Sequence, residues 1–275
     1  MKLYDHVERI KNELREIGLG NSVPLVASDL TPFDQYHYLG TQSVDDAARA
    51  LGIGAQSRVI DIGSGIGGPA RHLAVTTGCE VVAVELQSDL HDLAVYLTRR
   101  CALENQVKHI CGDILAPLPL LGPFDCIVSF LCFLHIADHD RLFSVCRELL
   151  SEKGQMFIED FFLRQEPTPE QSDALRIKVA CSGLSDASTY LHELRRAGFV
   201  VGHFEDMTGR WTDFTVERLR SFRMARARNI DVHGVEVTDG LDDFYATVAG
   251  LFVDGVIGGA RIHARMSGPP QTFGA

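Results

Sequence analysis

No stretch of this 275-residue chain approaches the apolar length that crosses a bilayer. That length is roughly 18–20 consecutive apolar residues, so no membrane partner is expected. Basic charge is scarce as well: 26 Lys and Arg face 37 Asp and Glu, a formal net charge of −11. Phosphate backbones bind basic faces, so this balance argues against a nucleic-acid partner. The opening segment "MKLYDHVERIKNELREIG" is charged and amphipathic and lacks the apolar centre of a signal peptide, which points to the cytoplasm. The seven cysteines (79, 101, 111, 126, 132, 146, 181) are odd in number and form no C-x-x-C pair. Several sit in apolar runs such as "CIVSFLCFL", the pattern of buried free thiols in a reducing compartment. A structural zinc site needs tight ligand pairs, so no metal is expected. There is no internal repeat and no low-complexity block.

What is present is the composition of an ordinary globular protein, 45% hydrophobic and 23% charged, at a length suited to one large α/β domain with or without a cap. Tyr4, Val7, Ile10, Leu14 and Ile17 recur at helical spacing, and Gly18 or Gly20 ends that helix. "SDLTPFDQYHYLGTQ" mixes turn formers with aromatics, and "SVDDAARALGI" predicts another helix. Strands and helices then alternate. "RVIDIG", "EVVAVEL", "VKHICGD", "FDCIVSFL" and "QMFIEDFF" read as strands. "GPARHLAVTTG", "SDLHDLAVYLTRRCALEN" (with Ser88 as its cap) and "HDRLFSVCRELLSEKG" read as helices. Apolar strands alternating with helices predict a mostly parallel sheet covered on both faces. After a helix in "SDASTYLHELRRAGF" and a strand in "VVGHFEDM", residues 209–256 are mostly helical and arginine-rich. "GGARIHARM" is the last strand, and with "VVGHFEDM" it predicts an antiparallel addition to the sheet edge. "SGPPQTFGA" is a loose tail. The expected organisation is an N-terminal helix and covering segment (1–40), a Rossmann-like core (41–208), a helical lid (209–256), and a final strand with its tail (257–275).

"SRVIDIGSGIGGPARHLA", residues 57–74, carries the chemistry. Gly63, Gly65 and Gly68 fit the G-x-G-x-x-G loop of dinucleotide sites, while Gly63, Gly65 and Gly67 fit the tighter loop that binds S-adenosylmethionine. Either loop passes close to a ligand and leads into a helix with free N–H groups. The acids discriminate. Asp61, at the end of the first strand, would crowd a pyrophosphate but suits a cationic amino-acid group. Glu85 ends the second strand at the right distance to hold ribose hydroxyls in either case. Asp113 ends the third strand, placed to accept from an adenine amino group, for which a dinucleotide fold has no particular need.

The ordered set "VIDIGSGIGG", "VVAVEL", "CGDIL", "FDCIVSFLCFLHI" and "LLSEKGQMFIEDF" resembles the class I S-adenosylmethionine-dependent methyltransferases over roughly residues 40–200. The resemblance implies a Rossmann-like α/β fold with a seven-stranded, mostly parallel sheet, helices on both faces and a helical lid. It implies S-adenosyl-L-methionine as cofactor, with S-adenosyl-L-homocysteine as product. Contacts to that cofactor are implied at Asp61, Gly63, Gly65 and Gly67, at Glu85 and Leu86, and at Asp113 and Ile114. Ser129 would lie near the methionine moiety. The tetrad N-P-P-Y of nucleic-acid enzymes is missing after the fourth strand, where "SFLC" stands.

"FLHIAD" is similar to the small-molecule N-methyltransferases of phosphoethanolamine, sarcosine or dimethylglycine, and "DQYHYLGTQSVDD" looks like their cofactor-covering segment. In the phosphoethanolamine branch the histidine of the "LH" pair helps a tyrosine order the site. His135 matches the histidine, and Tyr36 or Tyr38 is the tyrosine. That branch also carries a phosphate-holding arginine after the serine of strand four, where this chain has Phe130, so a phosphobase fits less well than an amine. "GGPAR" resembles sterol C-methyltransferases, but their acids after strand four are missing here until Asp138. The expected reaction is in-line methyl transfer to a small molecule, first of all at an amine nitrogen. Transfer to oxygen, sulfur or a sterol-like carbon is the alternative, and a nicotinamide oxidoreductase is the alternative of another class. A proton acceptor near neutral pKa is expected at His135, then His37. His135 equally reads as a helix-start residue bonded to backbone, and His72 as structural. Trp211 reads as packing or as a cation–π partner. Arg220, Arg223, Arg226 and Arg228 read as a solvated face or as an acid-binding set. A monomer or homodimer is expected.

Overall fold

The apolar stripe of the opening segment produces α1 (Arg9–Glu16), which buries Ile10 and Leu14 against Ile66, Leu90 and Leu93. The structure is a computed structural model that describes residues 7–20, 23–119, 122–181 and 183–267. Tyr4 of the expected stripe and residues 268–275 of the expected tail lie outside the described residues. Ile17 leaves the stripe and is 48% exposed, because the helix ends at Glu16 and Gly18 turns the chain at a φ of 79°. Next comes α2 (Ala27–Asp34), where the turn formers predicted no regular element. Its first turn is closed by Asp29, which accepts from the Val26 N–H at 2.9 Å. α3 (Thr41–Leu51) buries Val44, Ala47 and Leu51 and stops at Gly52, whose left-handed backbone suits glycine.

The alternating core then runs β1 (Arg58–Ile62), α4 (Gly68–Thr77), β2 (Glu80–Glu85), α5 (Ser88–Arg100), β3 (Val107–Cys111), β4 (Phe124–Phe130), a 3₁₀ turn (Phe133–His135), α6 (His139–Leu149) and β5 (Leu150–Leu163). Ser88 is not the cap of α5. Gln87 is, in an extended conformation, because its N–H is drawn to Glu85 Oε1 at 2.8 Å and the helix starts one residue later. β5 takes in "LSEKG", expected to be helical. Pairing with β4 slips there from Phe124–Leu150 to Cys126–Gln155, so the extra residues bulge out of the ladder. α7 (Pro169–Ile177) was not expected, although "TPEQ" is its start signal: the Thr168 hydroxyl accepts from the Gln171 N–H, with Pro169 in the first turn. α8 (Ala187–Arg196), β6 (Phe199–Asp206), α9 (Thr208–Met224), α10 (Arg226–His233), α11 (Val235–Val253) and β7 (Ile257–Met266) complete the chain.

The seven strands form one sheet in the order β3-β2-β1-β4-β5-β7-β6. β7 runs antiparallel to both neighbours, β5 and β6, and every other pairing is parallel. Ile60, Ile62 and Ile127 pack one face against Phe143 and Leu194, and Val59, Val81 and Val128 pack the other against Ala47 and Leu73. Gly259 on β7 leaves the space that the Trp211 indole fills, which seats α9 on the sheet edge. Trp211 is fully buried against Tyr38, Phe161 and Phe252, so of its two expected roles it has the packing one. Cys79, Cys126, Cys146 and Cys181 are buried free thiols as expected, whereas Cys111 is exposed. Among the described residues, no helix is long and apolar enough to cross a membrane. The strand order reverses between β1 and β4. In open α/β sheets the crevice beyond such a switch point is where ligands bind.

Candidate active site

β1 ends at Ile62 and the chain turns at Gly63, whose φ is 76°. A Cβ there would overlap the Cys132 side chain, so glycine lets the loop after β1 press against the loop after β4. The N–H groups of Gly63 and Ser64 donate to Val84 O at 2.9 and 3.0 Å, and Gly65 N–H donates to Glu85 Oε2 at 2.9 Å. The Glu85 carboxylate thus braces the glycine loop with one oxygen and the start of α5 with the other. Gly67 serves the turn into α4: at φ 80°, its added Cβ would come within 2.9 Å of both His109 and Arg71.

Around this loop lies a first cavity of about 280 Å³, lined by Asp61, Gly63, Gly65, Glu85, Asp113 and Ile114 among others. Asp61 is 1% exposed, and neither of its oxygens has a hydrogen-bond partner. Burial, with the Glu85 charge added, pushes its carboxyl up to about 7. A buried, unpartnered carboxylate facing a cavity is costly unless a cation or donor arrives to pair it. Burial likewise raises Glu85, against the N–H bonds from Gln87 and Gly65. Asp113 stands exposed at the rim, its Oδ1 held by Leu115 N–H at 2.9 Å, with Ile114 buried beside it. Leu86, 45% exposed, offers an apolar edge at the mouth. Two expected contacts are not among the lining residues. Gly67 faces His109 and Arg71, and Ser129 is fully buried with its hydroxyl donating to Ile62 O at 3.0 Å, tying β4 to β1.

A second cavity of about 590 Å³ opens between the N-terminal helices and α9–α11. Both cavities are lined by Tyr36, His37, Leu131 and His135, so they meet at those four residues. Leu131 has a φ of 54°, uncommon for a side chain of its kind, and its N–H is held by Glu159 O at 2.7 Å. Non-glycine residues in this region cluster at ligand sites, where surrounding structure holds them. Tyr38 lines only the larger cavity, packed at 5.0 Å from Trp211 and 5.3 Å from Phe214.

The two histidines differ. His37 is buried and stacked at 4.8 Å on Phe130, with Nδ1 3.1 Å from Tyr38 O and Nε2 2.8 Å from Gln35 Oε1. Burial lowers its pKa to about 4, so near pH 7 the ring is neutral and its single N–H donates to one of these two acceptors only. It is tied into a chain that sequence reading missed: Arg71 pairs with Asp34 at 2.9 Å, Asp34 accepts from Gln35 Nε2 at 2.8 Å, and Gln35 reaches His37. Asp34, Arg71 and His37 of that chain are buried and Gln35 is half-buried, and the chain anchors the segment from Asp34 to Tyr38. His135 sits on the 3₁₀ turn, its Nδ1 donating to Ala180 O at 3.1 Å, which leaves the lone pair of the neutral ring on Nε2. Burial lowers its pKa below the ordinary imidazole value. The backbone bond and the cavity-facing position, read as alternatives from sequence, coexist. His72 is half-buried and pairs with Asp45 at 2.7 Å, a structural role.

Also unforeseen were Arg9 and Arg218. Arg9 lies 4.8 Å over the Tyr36 ring, and Arg218 lies 4.5 Å over Tyr245 and 5.0 Å over Tyr38. The i, i+1 spacing of charged residues in α1 hid Arg9, and Arg218 was lost in an arginine-rich run. The four arginines singled out beforehand are engaged elsewhere: Arg220 with Glu217, Arg223 with Asp242, Arg226 with Asp239 and Arg228 with Glu13.

The family model of a methyltransferase domain matches residues 36–203. The glycine/sarcosine/dimethylglycine N-methyltransferase of Actinopolyspora halophila is 27% identical over 179 residues, covering 65% of this chain and 32% of that protein. The sterol 24-C-methyltransferase erg-4 of Neurospora crassa is 23% identical over 180 residues, covering 63% of this chain and 45% of that protein. The chain thus spans about a third of the first relative's length and under half of the second's. A solved structure of phosphoethanolamine N-methyltransferase 2 of Haemonchus contortus, in complex with phosphomonomethylethanolamine and S-adenosylhomocysteine, superposes with a TM-score of 0.77. It is 20% identical and covers 94% of this chain and 60% of that one, a likeness of fold.

Proposed function

This chain belongs to the methyltransferase-domain family, and from that premise we propose that it transfers a methyl group from S-adenosylmethionine to a small molecule in the cytoplasm, at an amine nitrogen. The observation that carries this reading is the meeting of two cavities at Tyr36, His37, Leu131 and His135, with the unpartnered Asp61 carboxylate in the first. The nitrogen acceptor is supported by the N-methyltransferase relative, and the sterol relative keeps carbon as the second reading.

The residues of the first cavity suit that cofactor. Asp61 would take its ammonium group, Glu85 its ribose hydroxyls, and Asp113 with Ile114 its adenine, Leu86 covering the outer edge. When bound, the cofactor supplies an electrophilic methyl on a sulfonium, which asks little of the protein beyond alignment. Alignment alone can contribute on the order of 7–11 kcal/mol in favourable cases. The Arg71–Asp34–Gln35–His37 chain holds the covering segment so that Tyr36 and His37 wall the junction. Leu131 adds the one aliphatic side chain to that junction. An amine must arrive unprotonated, and the His135 Nε2 lone pair is the group suited to hold its proton.

Calorimetric titration with S-adenosylhomocysteine, with NAD as parallel control, tests the cofactor. Binding of the first alone is the expected result, and binding of NAD alone would return the loop to the dinucleotide reading. Glu85→Ala should weaken S-adenosylhomocysteine by more than about 1 kcal/mol, since it removes charge-assisted hydrogen bonds. A methylation screen over an amine panel then tests the acceptor. With an accepted amine, kcat should fall as pH drops through the lowered pKa of His135 and level off above it. His135→Asn should keep cofactor affinity, lower turnover and abolish that acid limb. Turnover unchanged by the substitution would retire His135.

A further inference from the structure

We propose that the larger cavity takes an organic anion with a bulky aromatic or alicyclic body, its negative group held between Arg218 and Arg9. The inference rests on the reading of this cavity as the acceptor side of a methyl-transfer site. It goes beyond that reading in naming the charge and bulk of the acceptor.

The charges of the lid carry the first half. Six arginines lie in α9 and α10, and five face a carboxylate: Arg210 with Glu205 at 4.0 Å, Arg220 with Glu217 at 2.8 Å, Arg223 with Asp242 at 2.8 Å, Arg226 with Asp239 at 2.6 Å and Arg228 with Glu13 at 2.5 Å. Arg218, the sixth, has no carboxylate within ion-pair distance among the described residues. Its guanidinium lies over the rings of Tyr245, Tyr38 and Phe214 at 4.5, 5.0 and 5.4 Å, and its Nε is buried without a hydrogen-bond partner. Arg9 enters from the other wall, over Tyr36, and its neighbours are the phenols of Tyr36 and Tyr245. Tyr245 therefore stands between two guanidinium groups that face no carboxylate among the described residues. The cavity's own charged partners are spent: Glu13 is shared by Arg228 and His233, and Lys178 is paired with Asp243 at 2.7 Å. Burial, outweighing the nearby Arg218 charge, pushes the Tyr38 phenol up to about 12, so Tyr38 does not neutralise Arg218 as a phenolate at pH 7.

A chain of net charge −11 has thus placed in one hollow two cations that face no carboxylate among the described residues. Guanidinium groups flanked by aromatic faces are suited to carboxylate or phosphate, which they grip with two parallel N–H bonds. A cation with no anionic group would be repelled, so the acceptor nitrogen of the proposed reaction belongs to a molecule that also carries the anion. The body of the ligand is set by volume and wall. About 590 Å³ lies within the range that holds drug-sized molecules and is far more than a two- or three-carbon amine fills. Phe33, Phe161, Phe214, Phe222 and Phe244 supply the apolar wall.

The test is calorimetry on the full chain, with and without S-adenosylhomocysteine, using 3-phenylpropanoate and phenyl phosphate as anions. 3-Phenylpropan-1-amine serves as cation of matched bulk, and N,N-dimethylglycine as short carboxylate. Both anions should bind at least about tenfold more tightly than either control. The carboxylate and phosphate arms distinguish which anion the site prefers. Arg218→Met should cost the bulky anions about tenfold, leaving S-adenosylhomocysteine affinity unchanged, and Arg218→Lys should retain part of the affinity. Equal binding of the amine, equal binding of dimethylglycine, no anion binding up to about 10 mM, or an Arg218→Met variant that binds anions normally would each overturn the proposal. Silence with S-adenosylhomocysteine alongside intact anion preference would sink the methyl-transfer reading and leave the anion site standing.

Discussion

Asp61 is the residue on which the cofactor reading turns, and its chemistry is testable apart from catalysis. Its carboxyl rises from an ordinary 3.8 to about 7, through burial first and the Glu85 charge second. An acid whose folded pKa lies above its unfolded value favours the protonated form, so it costs stability as pH climbs from about 4 towards 7. A bound ammonium reverses that preference. On the proposed reading, S-adenosylhomocysteine binding should release a proton near neutrality and tighten as pH rises from about 6 to 8. Calorimetry in buffers of different ionisation enthalpy reads that proton, and Asp61→Asn should abolish the release while weakening binding about tenfold. Affinity flat with pH would remove Asp61 from the ammonium site. Asp61 was visible in the sequence because an acid at the end of an apolar strand is out of pattern. Ser129 looked equally suggestive, yet its hydroxyl bonds β1, and no sequence period tells on which side of a buried strand a small polar group spends its bond.

At the scale of elements, the segment 34–38 and the lid were harder to read than the strands. α2 hid behind turn formers and Pro32, and the anchor of the segment, Arg71, lies on the helix after the glycine loop. α1 and α10, more than 200 positions apart, are latched by Glu13, which accepts from Arg228 at 2.8 and 2.5 Å and approaches His233 Nε2 at 2.7 Å. Burial would raise the Glu13 pKa, but these bonds outweigh it and the net shift is downward. A depressed carboxylate contributes stability above its unfolded pKa and loses it as pH falls through the folded one, so the latch weakens in acid. Glu13→Gln should cost about 1 kcal/mol, the pair being partly solvent-screened, as measured by urea unfolding at pH 7. The deficit should shrink towards pH 4. A deficit that stays constant down to that pH would mean the latch does not depend on the Glu13 charge.

For the whole molecule, the sheet brings the ends of β1, β2 and β4 to one edge, and the two distant helical segments close over it. A ligand that binds only the folded state stabilises it by about 2.7 kcal/mol at a hundred times its Kd. S-adenosylhomocysteine at that excess should therefore raise Tm by about 5 °C or more for a chain of this size, and NAD should leave it unchanged. An equal rise with NAD would speak against the assignment of Asp61 and Asp113. The sequence by itself determined the strand succession, the glycine loop, and the acids near the ends of β1, β2 and β3, because strand burial and tight turns impose local residue patterns that survive without coordinates. Asp113 stands two residues beyond β3 rather than ending it. Only the tertiary structure decided the rest. It turned both His37 nitrogens to local partners, buried Trp211 in the notch above Gly259, joined two cavities at four residues and left the Arg218 Nε buried without a hydrogen-bond partner among the described residues. Those outcomes depend on which partners meet across long stretches of chain, and partner choice across such distances leaves no local period to read.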